Sequence, residues 1–302
     1  MIIAEPGKAR PSAVSLHVTV LGTGTMGQGI AQVAAQNGHT TRLFDAAEGR
    51  ALAAVKAIGA QLEKMLGKGK ITSEQRHQAM NRLSAAEDAR DACAGADLVI
   101  EAVPEDMALK LEVLRPLLDV LGPHALIGTN TSSLSITELG ARLGVPDRTV
   151  GLHFFNPPPV MELVEVVRGL ATSDATIARA VDFAKGLGKT PIVVRDVPGF
   201  ATSRLGVILG AEAMRMLEMG VASAADIDRG MELGYRHPMG PLKLTDLVGL
   251  DVRLAILEHL HRELGEQFRP PSLLRQMVRA GRLGKKVGRG FYEYDPQGQK
   301  KA

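Results

Sequence analysis

Hydrophobic and polar positions along the chain change their period many times before one lasting change near residue 197. The stretch "LHVTVLG" alternates apolar and polar residues up to a glycine, which predicts a strand. "TMGQGIAQVAAQNG" places Met26, Ile30, Val33 and Ala34 at helical spacing and closes at Gly38, a residue suited to ending a helix. "TTRLFD" predicts a second strand that ends on Asp45, and an Ala/Lys-rich helix from about Ala47 to Met65 runs into a basic, glycine-broken tip, "GKGKI". "DLVIEAV" is continuously apolar, as in strands buried on both faces of a parallel sheet. "MALKLEVLRPLLDVLG" predicts a helix interrupted or kinked at Pro116. Short strands follow in "ALIGTNTSS", "TVGLHFF", "MELVEVV" and "TPIVVRD". Between them lie a helical "SITELGARLG" and a "TSDATIARAVDFAKGLG" capped at Thr172 or Ser173.

Alternating strands and helices predict an α/β fold with a doubly wound, Rossmann-type parallel sheet. After "VPGF" only helical periodicity remains. The expected division is a Rossmann-type α/β domain over 15–196 and an all-helical domain over 197–302.

Gly22, Gly24 and Gly27 form GxGxxG in "LGTGTMGQGIA", between a predicted strand and a predicted helix. In such a loop the first glycine permits the tight turn, the second lets the backbone approach a pyrophosphate, and the third lets helix pack on strand. The intervening Thr23, Thr25 and Met26 belong to the same loop, whose amides face the phosphates at the helix N-terminus. Asp45 at the end of the next strand suits a ribose 2′-hydroxyl and repels a 2′-phosphate, which favours NAD. Arg42 and Arg50 are near enough in sequence to leave NADP open.

The run "GLHFFNPPPVMELVEVV" carries an imidazole and a carboxylate inside apolar strands. If the chain turns back after Asn156-Pro157, Glu165 faces His153 across the turn, fixes its tautomer and leaves the second nitrogen to accept a substrate proton. A core histidine bonded to a backbone carbonyl fits the spacing equally well. Asn130 and Ser132 in "TNTSSL" suit either a substrate oxygen or the capping of the next helix.

The formal net charge is only +3, so global charge does not select a polyanionic partner. Seven basic residues (Arg269, Arg275, Arg279, Arg282, Lys285, Lys286 and Arg289) stand in a C-terminal run without acidic ones. Without interleaved aromatics or a recognition motif the run does not predict a nucleic-acid partner. A positive potential that gathers an acidic coenzyme substrate is the alternative to a solvated face. The single cysteine, Cys93, excludes an internal disulfide and any multi-cysteine metal site, and suits a reducing, cytoplasmic setting. His259 and His261 stand two apart, a poor spacing for a shared metal on a helix, and no metal is expected. No apolar run reaches membrane-spanning length, and the first residues, "MIIAEPGKARPSAVS", read as a frayed tail and not as a secretory signal.

Taken in order, "GTGTMGQGIAQVAA", "NTSSLSITEL", "GLHFFNPPPVMELVEVV", "VPGF", "HPMGPLKLTDLVGLD" and "GKKVGRGFYEY" resemble the 3-hydroxyacyl-CoA dehydrogenases, including the 3-hydroxybutyryl-CoA enzymes, over nearly the whole chain. The resemblance implies reversible NAD-dependent oxidation of a short L-3-hydroxyacyl-CoA, as in fatty-acid β-oxidation, and a homodimer through the helical domain. It implies His153 as base, Glu165 as its partner, and Ser132 on the reacting oxygen. Glu105, Lys110, Asn130 and Lys286 would line the cofactor site, while Lys68 and Asn156 would meet the substrate. The family's usual Asn after "PGF" appears here as Ser203, and its CoA-contact serine near Lys68 as Gln61. Two further readings are a dehydrogenase of a non-CoA hydroxy or sugar acid, and a cofactor-binding homologue without catalysis.

Overall fold

The structure is a computed structural model that describes residues 15–301, so the N-terminal tail read from sequence lies almost wholly outside the described residues. The first compact unit ends at Asp196 and the second begins at Val197.

In the first unit, β1 (His17–Leu21), β2 (Thr40–Phe44), β3 (Leu83–Ala85), β4 (Leu98–Glu101), β5 (Leu126–Thr129), β6 (Thr149–Phe154), β7 (Leu163–Arg168) and β8 (Thr190–Arg195) form one sheet. Their order is β3-β2-β1-β4-β5-β6-β7-β8. Neighbours from β3 to β6 are parallel, β6 and β7 are antiparallel, and β8 runs parallel to β7. The fold is therefore the expected doubly wound sheet with one corrected feature: it is mixed. The link 155–162 is too short for the helical crossover that a parallel pair requires.

Helices cover both faces. On one face α1 (Thr25–Gln36), α2 (Arg50–Gly67) and α7 (Asp174–Gly186) bury Ile30, Ile58, Leu62 and Phe183 against Val20, Leu43, Ile100 and Val164. On the other, α5 (Met107–Leu114) and α6 (Ile136–Leu143) bury Leu111, Leu114, Leu139 and Leu143 against Leu21, Val99 and Ile127. Pro116 acts as its ring requires, since α5 stops at Leu114 and a single 3₁₀ turn, Arg115–Leu117, follows.

Three short elements escape the periodicity: α3 (Ser73–Asn81), β3 and α4 (Ala89–Cys93). The two helices carry local signals: at α3 a capping box in which the Thr72 hydroxyl accepts from the Gln75 amide and the Gln75 side chain accepts from the Thr72 amide, and at α4 an Asp88 carboxylate that accepts from the Arg90 and Asp91 amides.

In the second unit, α8 (Thr202–Glu218), α9 (Ala224–Arg229), α10 (Pro241–Val248), α11 (Leu250–Leu264) and α12 (Ser272–Arg279) surround Met214, Leu242, Leu257, Leu260 and Leu274. Two buried aspartates tie the chain end to these helices. Asp246 accepts from the Phe291 and Tyr292 amides and the Tyr294 hydroxyl, and Asp228 accepts from Tyr292 and from the Leu242 and Lys243 amides that open α10. "GRGFYEY" thus has a structural task in this unit.

The turn between β1 and α1 depends on two glycines. Gly22 has φ +91°, and a Cβ on Gly27 would lie 1.9 Å from the Gly22 carbonyl oxygen. Gly27→Ala is therefore expected to push α1 off β1, costing about 1–3 kcal/mol by overpacking. The expected result is a lower Tm together with weaker NADH binding by fluorescence titration; an unchanged Tm would contradict this packing.

Candidate active site

Because β1, β4, β5 and β6 are parallel, their C-terminal ends share one edge of the sheet, where open α/β folds take their ligands. That edge carries the glycine loop after β1, Glu101 to Glu105 after β4, Asn130 to Ser133 after β5, and His153 at the end of β6.

Beside β1 a cavity of about 380 Å³ is lined by Gly22 to Met26, Asp45 and Arg50 on its polar side, and by Val103, Leu109 and Val113 on its apolar side. No side chain caps the first turn of α1, and a Cβ on Gly24 would meet nothing within 4 Å, so an anion can reach the backbone amides there. The Asp45 carboxylate accepts from the Thr23 amide (2.8 Å), the Thr23 hydroxyl (2.7 Å) and the Ala47 amide (3.1 Å). Burial alone would raise its pKa, but these donors and the Arg50 guanidinium hold it below the ordinary value. An ionised acceptor, an apolar slot and open helix amides fit the ribose, base and pyrophosphate of NAD. Of the two arginines near Asp45, Arg42 is engaged elsewhere, donating to the carbonyls of Asp91 and Ala94, while Arg50 lines the cavity 4.0 Å from Asp45.

After β4 the chain builds a network that sequence reasoning did not anticipate. Glu101, fully buried at the end of "DLVIE", accepts from Lys110 Nζ at 2.7 and 2.8 Å, from the Thr129 hydroxyl at 2.6 Å and from the Val103 amide at 2.7 Å. Burial raises the Glu101 pKa, against the pull of Lys110 and the other donors. Lys110 is itself buried and lies 3.5 Å from Glu105. Glu105 Oε1 accepts from the hydroxyls of Thr131 (2.6 Å) and Ser133 (3.0 Å) and from the amides of Ser132 (2.9 Å) and Ser133 (3.0 Å). Glu105 therefore shapes the loop that presents Ser132. Capping of the next helix falls to Ser135, whose hydroxyl accepts from the Glu138 amide, so Ser132 is not the cap. Asn130 Oδ1 accepts from the Phe154 amide (2.9 Å) and stitches the end of β5 to the end of β6.

His153 and Glu165 are register partners on antiparallel β6 and β7, which turns both side chains to one face. His153 Nδ1 lies 2.7 Å from Glu165 Oε2, Glu165 is fully buried, and the Phe155 ring sits 4.7 Å from the imidazole. The imidazole thus partners a carboxylate, and the alternative of a core histidine held at Nδ1 by a backbone carbonyl falls away.

The other sequence candidates are more scattered. Lys68 is exposed at the end of α2, and Asn156 is exposed in the link after β6. A cavity of about 770 Å³ nearby is lined by Gln61, Lys70, Gln28 and Pro157 to Val160, so Lys70 joins the candidates where Lys68 does not line the wall. Ser203 lies in the first turn of α8, and Lys286 pairs with Asp251 at 2.6 Å. Part of the basic C-terminal run is paired: Arg269 with its neighbour Glu266, Arg275 with the distant Glu258, and Arg289 with its neighbour Glu293. Cys93 is buried, and burial pushes its thiol up to about 12, which leaves it inert as a nucleophile.

A dinucleotide cradle and a carboxylate-held imidazole at one sheet edge define the class as a nicotinamide-linked dehydrogenase. Comparison with known proteins narrows the class. Residues 17–197 match the NAD-binding domain of 3-hydroxyacyl-CoA dehydrogenase, and residues 199–294 match the C-terminal domain of the same enzymes. A probable 3-hydroxybutyryl-CoA dehydrogenase of Bacillus subtilis (strain 168) is 46% identical over 280 residues, 92% of this chain and 97% of that protein. A 3-hydroxybutyryl-CoA dehydrogenase of Mycobacterium tuberculosis (strain H37Rv) is 44% identical over 281 residues, 92% of this chain and 98% of its own. The crystal structure of (S)-3-hydroxybutyryl-CoA dehydrogenase from Ralstonia eutropha superposes with a TM-score of 0.89 at 42% identity, covering 93% of this chain and all of that one. The chain belongs to the 3-hydroxyacyl-CoA dehydrogenase family, NAD-dependent oxidoreductases.

Two outcomes test this geometry. Asp45→Ser should shift the kcat/KM ratio toward NADP by roughly tenfold to a hundredfold, because unit charges about 4 Å apart repel by about 1–4 kcal/mol between bulk water and a protein surface. An unchanged ratio would mean that Asp45 does not set coenzyme choice. Burial would raise the Glu105 carboxyl, but Thr131, Lys110, Ser133 and Ser132 together hold it below its ordinary 4.5. A depressed carboxyl contributes stability above its unfolded pKa and loses it as pH falls through the folded value. Glu105→Gln should therefore flatten the loss of Tm on acidification below 4.5, and equal slopes would contradict the assignment.

Proposed function

We propose that this protein oxidises a short-chain L-3-hydroxyacyl-CoA, such as 3-hydroxybutyryl-CoA, to the 3-ketoacyl-CoA and runs the reverse reduction, with His153 as general base. The contact between His153 Nδ1 and Glu165 carries this reading. A carboxylate only accepts, so the ring's proton sits on Nδ1 and the lone pair on Nε2. His153 Nε2 takes the substrate's hydroxyl proton, and buried Glu165 stabilises the imidazolium that results. Bound NAD supplies the acceptor for the hydride from the substrate carbon. Ser132, on the loop that Glu105 shapes, donates a hydrogen bond to the reacting oxygen. Ser203 offers a donor and acceptors for the same substrate where an Asn is usual, at a shorter reach.

Asn130, Lys110 and Lys286 belong with the cofactor in this reading, Lys68 with the coenzyme A moiety and Asn156 with the substrate. Lys110 acts through Glu105 and Glu101, both of which it reaches. The proposed setting is cytoplasmic β-oxidation by a homodimer formed through the helical unit. Exposed Leu205, Leu247 and Val252 on that unit support the dimer, and among the described residues no helix is long and apolar enough to cross a membrane.

NADH oxidation by acetoacetyl-CoA should be robust, with free acetoacetate and the no-substrate control near zero. Equal rates with free acetoacetate would favour a non-CoA acid as substrate. His153→Ala should lower kcat by about 10²–10⁴-fold with little change in NADH affinity. A near-normal rate would remove His153 as the base.

A further inference from the structure

The link 155–162 between β6 and β7 continues the strand that carries His153, and its sequence gives it few ways to hold its own shape. Pro157, Pro158 and Pro159 have no N–H to donate, and the amides of Val160 and Met161 both bond back to the Pro157 carbonyl. Contacts from outside the link fix it instead. Pro158 packs on α1 at Gly29, where a Cβ would lie 2.6 Å from the proline Cδ. Lys189, in the turn between α7 and β8, donates from Nζ to the carbonyls of Pro158 (2.6 Å) and Met161 (2.8 Å). The Thr190 amide, which opens β8, donates to the Glu162 carbonyl (2.8 Å) at the far end of the link. Burial lowers the Lys189 pKa against the pull of Glu162, as expected of an ammonium whose donors have turned from water to protein carbonyls.

Pro157 to Val160 form one wall of the cavity of about 770 Å³. Gln28 and Gln32 of α1, Gln61 of α2 and Lys70 line the rest of it. Thr25 lines this cavity and the dinucleotide cavity alike, so the two adjoin within the first unit. Three carboxamides and one ammonium suit a ligand rich in amides and phosphate, and small-molecule sites occupy roughly 300–1,000 Å³. The tail of a coenzyme A thioester has that chemistry.

We propose that Lys189 is a positioning residue for the coenzyme A tail of the substrate: it holds the proline link as the wall of the cavity that takes the tail, without touching the reacting atoms. This rests on the dehydrogenase reading above. A wall fixed in advance spares the ligand the cost of ordering the link, so the clamp acts on binding and leaves proton transfer at His153 alone. Lysine suits the task because one ammonium on a long stem carries three donors, and a proline-rich turn offers acceptors while lacking donors.

The test compares acetoacetyl-CoA with S-acetoacetyl-N-acetylcysteamine, which carries the same acyl thioester without most of the tail. Lys189→Met keeps the length of the side chain and removes its donors. It should raise KM for acetoacetyl-CoA by roughly tenfold, the lower end of what a charge-assisted hydrogen bond supplies, with kcat nearly unchanged. Its kcat/KM for the truncated thioester should stay near the wild-type value, and Lys189→Arg, which restores donors, should recover most of the KM. Should Lys189→Met fail to fold, Gly29→Ala, which displaces Pro158 from the α1 side, should give the same selective rise. An unchanged KM for acetoacetyl-CoA in a folded variant overturns the proposal. So does an equal loss with both thioesters, or an equal loss in Lys189→Arg and Lys189→Met. If the wild type turns over neither thioester, the dehydrogenase reading falls and the proposal with it.

Discussion

One short contact organises the first unit: an imidazole and a carboxylate, twelve positions apart in sequence, meet at 2.7 Å inside the sheet. It exists because the chain reverses after β6, so that β7 lies antiparallel where the rest of the sheet up to that point is parallel. Had β7 joined the sheet in parallel, Glu165 would have no register partner in His153. A carboxylate buried this deeply needs a partner to offset its lost hydration, and the imidazole provides one. The same reversal orients the ring beside the strand ends that carry the glycine loop and the serine loop.

A second charge cluster, with Glu101 and Lys110 buried and Glu105 partly exposed, performs the same service for Ser132. Glu101, Lys110 and Glu105 put two carboxylates around one ammonium, and each acid is further satisfied by hydroxyls and amides of the loops it holds. Such a cluster is costly to desolvate, and its geometry rigidifies the turns after β4 and β5. The family pattern links Glu105 and Lys110 to the cofactor. In this fold they also bond protein groups, and through these they shape the loops after β4 and β5.

Several sequence features turned out to be structural. The "GRGFYEY" segment anchors on Asp246 and Asp228, and two members of the basic C-terminal run, Arg275 and Lys286, meet the acids Glu258 and Asp251 brought from elsewhere in the chain. Charge read along a chain overstates the field whenever folding supplies counter-charges from distant positions. Arg253 is the reverse case: in sequence it is an ordinary charge in a helix, and only folding leaves it buried with no ion-pair partner among the described residues.

By itself the sequence determined what repeats locally. Period-2 and period-3.6 patterns specify most strands and helices, the glycine loop specifies its own turn, and the shift to helical periodicity near "VPGF" coincides with the division between the units. It could not yield α3, β3 or α4, whose few residues carry too little periodicity to stand out, nor Glu101, which hides inside an apolar strand. The pairing of His153 with Glu165 and the burial of Arg253 were decided by tertiary structure alone. Each depends on which distant groups share a buried space, and burial is a property of the folded chain.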